Sequence, residues 1–185
     1  MINRDMRKIV FLFFSIIISC GLYAQESDSL IYWTQDRKLS WDDFQFVHED
    51  SIEGFEKAGI FSGFVIKWDK EDTITISVNV EFDKFKSWTS DTVSSLLLSH
   101  ELLHFDINEY FARIIRKNCS SKLSNGITNM DLFDTSIDSL INVCFDYQKE
   151  YDYETAHGSD TLKQKVWENR VDSLLNVMKA YSVDN

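Results

Sequence analysis

His100, Glu101 and His104 are spaced so that one short stretch of helix can hold a metal ion and a base together. They lie in Leu96-Leu97-Leu98-Ser99-His100-Glu101-Leu102-Leu103-His104-Phe105, whose apolar residues recur at a helical period. Residues four apart on a helix stack on one face, so the two imidazoles aim at one point from successive turns. Glu101 stands on the adjacent flank, placed to hold a water rather than the metal. Zinc bound in this way for catalysis takes three protein ligands and leaves a fourth position for water. Two imidazoles buried among leucines without a partner would be costly, which argues against a purely structural core role.

The chain has only four histidines, so the search for a third ligand is short. His48, in Val47-His48-Glu49-Asp50, sits in an acidic segment and reads as a surface residue. His157 lies in Tyr151-Asp152-Tyr153-Glu154-Thr155-Ala156-His157-Gly158, just ahead of a helical pattern, where Gly158 lets the backbone turn sharply and approach closely. His157 is the expected third ligand, and Asp152 and Glu154 stay open as carboxylate substitutes. Asp106 follows His104 by two residues, which turns it off the ligand face; orienting an imidazole or the next loop suits it better. Glu109 and Arg113, four apart, are expected to form an ion pair. Tyr151 and Tyr153 are candidate donors to a developing oxyanion.

These residues must be carried by a scaffold, and the pattern divides it in two. Leu30-Ile31-Tyr32-Trp33 is a short strand, and Ser40 can cap a helical turn with Asp43 reaching back. Trp33, Trp41, Phe44 and Phe46 are expected to plug the core. Ile60 to Trp68 and Ile74 to Phe82 are the clearest strands, the second alternating strictly with Thr75, Ser77, Asn79 and Glu81. Asp69-Lys70-Glu71-Asp72 between them suggests an antiparallel hairpin. From Asp91 the period changes. A cap at Thr89, Ser90 or Asp91 opens a long helix that carries the histidines to about Lys117. A second helix runs from Asp131 to about Lys149, and a third begins after Ser159 or Asp160. Strands first and helices second predict an α+β domain, its antiparallel sheet packed against the histidine helix and two others.

Residues 1–24 combine a basic start, an apolar run from Ile9 to Cys20 and a small-residue exit at Leu22-Tyr23-Ala24, the pattern of a secretory signal peptide. Cleavage is expected after Ala24. Ile17-Ile18-Ser19-Cys20 also resembles a lipobox, which would attach a lipid anchor at Cys20. The apolar run is shorter than the roughly 20 residues that span a bilayer, so no stable membrane span is expected once the leader is removed. Residues 25–185 then form one domain in a secreted or periplasmic protein. The net charge of −11 disfavours nucleic acid and anionic lipid as partners. In an oxidising compartment Cys119 and Cys144 are expected to pair as a disulfide.

With these stretches in view, the chain resembles the bacterial family of predicted secreted zinc-dependent proteases, an HExxH-containing domain of unknown function. The likeness rests on Leu39-Ser40-Trp41-Asp42-Asp43-Phe44, on His100 to Ile107 with Glu109 and Ala112-Arg113, and on Tyr151-Asp152, Glu154-Thr155, His157-Gly158 and Trp167. The chain departs from that pattern at Gln45-Phe46-Val47-His48, a loop that would help shape the cleft. The resemblance implies a zincin-like metallopeptidase acting on peptides or proteins, with His100 and His104 as zinc ligands and Glu101 as general base. It also favours His157 as the third ligand. The alternative is a non-catalytic zinc-binding module of the cell envelope, active in binding or assembly. Glu101 speaks against it, because a structural metal site has no use for a base.

Overall fold

Strict alternation along Ile74, Ile76, Val78 and Val80 builds the strand on which the sheet is centred. The computed structural model describes residues 7–11, 29–47, 57–70 and 73–183. Most of the expected leader lies outside them, with Cys20 and Ala24, and so does His48. In chain order the elements are β1 Arg7–Phe11, β2 Leu30–Tyr32, β3 Ala58–Gly59, β4 Ser62–Lys70, β5 Ile74–Asp83 and β6 Trp88–Thr89. The helices α1 Ser95–Ser124, α2 Met130–Thr155 and α3 Thr161–Val177 follow. The fold is α+β.

Four strands pair in the order β1-β4-β5-β2, all antiparallel, and β3 pairs separately with β6. The expected hairpin is β4–β5, in register from Ser62 opposite Phe82 to Lys70 opposite Ile74. Its apolar face presents Phe64, Ile66, Val78, Val80 and Phe82 to the core. Alternation fails at the end of β5, where Glu81 is also buried. The helix α1 packs across β4 and β5 and is covered in turn by α2 and α3. Phe105 meets Phe82 edge-on at 6.2 Å. The turn Trp41–Asp43 forms as its sequence suggests, with the Ser40 N–H donating to Asp43 Oδ2 at 2.9 Å. Trp33 and Phe44 are buried, whereas Phe46 is 41% exposed and does not plug the core. No helix among the described residues is long and apolar enough to cross a membrane.

Three helix boundaries differ from the pattern, and one bears on function. Ser94, not Thr89, Ser90 or Asp91, caps α1, its hydroxyl accepting the Leu97 N–H at 3.1 Å. Thr89 belongs to β6, and the Asp91 carboxylate instead accepts the Val93 and Ser94 N–H groups in the turn leading in. At its far end, α1 continues to Ser124. More consequentially, α2 continues past Lys149 to Thr155, which places Asp152 and Glu154 on a helix rather than in a loop.

The expected Cys119–Cys144 disulfide is absent; both are buried free thiols. Cys144 donates to Asn108 Oδ1 at 3.3 Å. Asn108 and Cys119 are about 16 Å apart along α1 at 1.5 Å per residue, far beyond the Cα separation a disulfide permits.

Candidate metal centre

Because α1 and α2 run antiparallel, each step of four residues along one is met by a step of four back along the other. His100, His104 and Asn108 on α1 face Asp152, Gln148 and Cys144 on α2. That spacing keeps each trio on one helix face. The rungs differ in chemistry. Toward the start of α1 they are imidazole and carboxylate, and further in they are amide and thiol.

Asp152 Oδ1 lies 3.2 Å from His100 Nε2 and 2.9 Å from His104 Nε2. It is buried, yet makes no hydrogen bond of acceptable geometry among the described residues. Three donor atoms thus crowd one point without being aligned on each other. A buried polar atom in that state is costly unless something else satisfies it, and a cation at the shared point would. Two imidazole nitrogens and one carboxylate oxygen are groups that could hold a metal ion. Burial pushes the Asp152 carboxyl up, but the two imidazoles outweigh it and hold the group well below the usual carboxylate range. Burial would lower His104, and here Asp152, Glu101 and Gln148 prevail and raise it.

Each imidazole is oriented from behind by a glutamine that the sequence reading did not single out. His104 Nδ1 meets Gln148 Oε1 in a short hydrogen bond, and His100 Nδ1 lies 3.4 Å from Gln164 Oε1. An amide oxygen there takes a ring proton and leaves Nε2 as the free lone pair. Gln164 Oε1 also accepts the Tyr151 hydroxyl at 2.8 Å, and that hydroxyl lies 3.1 Å from the His100 carbonyl. The Tyr151 ring stacks on His100 at 4.6 Å. The signal for both glutamines was a polar residue inside an apolar helical stripe: Gln164 with Trp167 and Val171, Gln148 with Cys144 and Tyr151.

Glu101 is buried, and its Oε2 accepts the Ile60 N–H at 3.0 Å, which ties it to the end of β3. Burial raises its carboxyl above the ordinary value against the pull of both imidazoles. The group borders a cleft of about 490 Å³ lined also by His100, His104, Asp152 and His157.

His157 stands at the rim. Its side chain is 63% exposed, and its Nδ1 lies 4.0 Å from Asp152 Oδ1. Ligand atoms of His100, Asp152 and His157 fall within 4.8 Å of one another, so this group could hold a metal ion. The approach requires a turn in which Ala156, His157 and Gly158 all have positive φ, of 49°, 51° and 77°. A Cβ on Gly158 would meet His100 Cβ at 2.8 Å, so only glycine lets the turn seat there.

The remaining sequence candidates lie elsewhere. Asp106 accepts the Trp33 indole N–H at 2.7 Å and orients neither imidazole, its carboxyl raised by burial. Glu154 Oε2 accepts the Trp167 N–H at 2.8 Å, which occupies it as an anchor for α3. Tyr153 is 86% exposed, and the Tyr151 hydroxyl is engaged behind His100, so neither is placed as an oxyanion donor. Glu109 pairs with Arg113 at 2.8 Å as its spacing predicts, and with Arg116 at 2.9 Å. No family model, curated protein or solved structure matches the chain.

Proposed function

We propose that this protein is an exported zinc-dependent peptidase of the zincin-like kind, cleaving peptide bonds in the cleft beside Glu101. The observation that carries the reading is Asp152 Oδ1, buried within 3.2 Å of both Nε2 atoms and hydrogen-bonded to neither. His100, His104 and Asp152 would hold the ion, and His157 stands in reach at the rim. Asp152, open in the sequence as a carboxylate alternative to His157, is favoured because the added length of α2 puts its Oδ1 beside both Nε2 atoms.

Zinc bound there supplies a Lewis acid that polarises a carbonyl and makes an attacking water more acidic. The chain's own residues do the rest. Gln148 and Gln164 keep the imidazole lone pairs directed at the ion. The Ile60 N–H occupies one oxygen of Glu101, and the other is left to take the water proton as the water oxygen attacks the carbonyl carbon. The same oxygen returns that proton to the leaving nitrogen as the carbon–nitrogen bond breaks. A buried carboxylate fixed at the cleft wall in this way has no purpose in a metal site that only binds or scaffolds.

Elemental analysis of the purified chain tests the metal, with one zinc per chain expected. Unchanged zinc in His100→Ala would refute the site. Glu101→Gln is expected to keep zinc and lose hydrolysis; retained turnover would refute the base.

A further inference from the structure

The cleft extends past the ligands in both directions, and its walls there carry apolar side chains beside polar ones such as Lys57, Asp91 and Lys149. Leu96 and Leu97 line it about one turn ahead of His100 on α1, and Phe145 lines it two turns ahead of Asp152 on α2. Ile60 lines the β3 side, next to the backbone group that holds Glu101. All four side chains are half-buried, and none of them can bind a cation or move a proton. Since the helices are antiparallel, Leu97 and Phe145 fall on opposite sides of the ligand group. They are separated by about 15 Å along the helices at 1.5 Å per residue. An extended peptide covers that distance in roughly four to five residues.

We infer that the cleft takes the interior of an extended chain with an apolar side chain on each side of the cleaved bond. Leu96 and Leu97 receive one, and Phe145 receives the other. This rests on the peptidase reading above and assigns it a substrate class. The apolar ends lie to both sides of Glu101, so the reacting bond sits inside the bound segment and not at its terminus. A cleft of this volume is of the size that buries small ligands and short peptide segments. Apolar contacts in such pockets discriminate by about 10- to 200-fold per methylene-sized difference.

The zinc-loaded chain is incubated with an unbiased peptide mixture and its cleavage sites are mapped by mass spectrometry. Leucine, isoleucine, phenylalanine or valine is expected on both sides of the cut, the two positions lying roughly four to five residues apart. Phe145→Ala should lower that preference on one side by about 10-fold or more and leave zinc content unchanged. Phe145→Lys should shift that side toward acidic residues. In parallel, calorimetry compares a leucyl hydroxamate with an aspartyl hydroxamate on the wild-type chain, a comparison independent of turnover. Tighter binding of the leucyl compound supports the assignment. Equal affinities, or cuts flanked by charged residues, overturn it while leaving the metal site standing. A chain that binds no zinc overturns the peptidase reading and this assignment with it.

Discussion

Gln148 clasps His104 at both ends: its amide oxygen meets the ring Nδ1, and its amide nitrogen donates to the His104 carbonyl at 3.1 Å. One side chain on α2 thereby holds both the ring and the backbone of a candidate ligand on α1. Gln148→Leu should stay folded and lose about 10- to 100-fold in zinc affinity, read by competition with a chromophoric chelator. Unchanged affinity would show that the imidazole needs no such support.

Asp152 and His157 separate under the same measurement. Asp152→Ala removes a half-buried carboxylate whose oxygen lies beside both Nε2 atoms and should weaken zinc by more than about 100-fold. His157→Ala removes an exposed side chain and should cost about 10-fold or less. The reverse order would restore His157 as the third ligand.

The fold class, the hairpin and the histidine helix were legible in the sequence because each is written in a local period. The place of Asp152 beside both imidazoles was not. Asp152 occupies a run of tyrosines and acids in which no strong stop signal marks the helix end, and α2 persists there with Thr155 buried and Tyr151 buried against His100 of α1 and Trp167 of α3. A helix boundary set six residues too early kept Asp152 only as a carboxylate alternative to His157, without the helix face that brings it to both imidazoles. Asp106 was misjudged for a related reason: spacing said that it leaves the ligand face, but not that Trp33 waits on the other side. Pairing of Cys119 with Cys144 failed because an even count carries no information about the register of two helices.

Gly158→Ala should destabilise the chain by about 1–3 kcal/mol, since it places a side chain at φ 77° and against His100. Zinc affinity should fall with it, because the clash is at a ligand. Thermal unfolding with and without zinc checks both, and a neutral outcome would mean that the turn is not seated on His100.

Cys119 and Cys144 should be recovered as thiols. Peptide mapping without reduction is expected to find each one alkylated after unfolding and protected before it. Burial pushes the Cys119 thiol up to about 11 from 9.0. The folded form therefore holds its proton more tightly than the unfolded form, so this contribution to stability is complete below pH 9 and is lost as pH rises toward 11. Rapid alkylation of the native chain at pH 8 would contradict the burial.

Asp106→Asn tests whether Asp106 serves the metal or the core. The group's carboxyl is raised by burial, and Trp33 then Lys38 only partly offset this, so a neutral amide should cost about 1 kcal/mol or less. Zinc affinity should not move. With the folded value raised, the contribution of Asp106 to stability is greatest at low pH and declines as pH rises through that value, a slope the variant should lack.

The linker between α1 and α2 sits at one end of the pair, after Ser124, and the ligands sit near the other. About 36 Å of helix separates His100 from Ser124 at 1.5 Å per residue. The two helices are thus tongs joined at residues 125–129, and an ion among His100, His104 and Asp152 would be the catch at their tips. Chelation should loosen the tips and leave the hinge alone. Amide hydrogen exchange ought to accelerate around residues 96–104 and 149–160, with little change near Cys119 and Phe133. A catch at the tips would also link the proposed catalysis to shape, since releasing the metal would open the wall of the cleft itself.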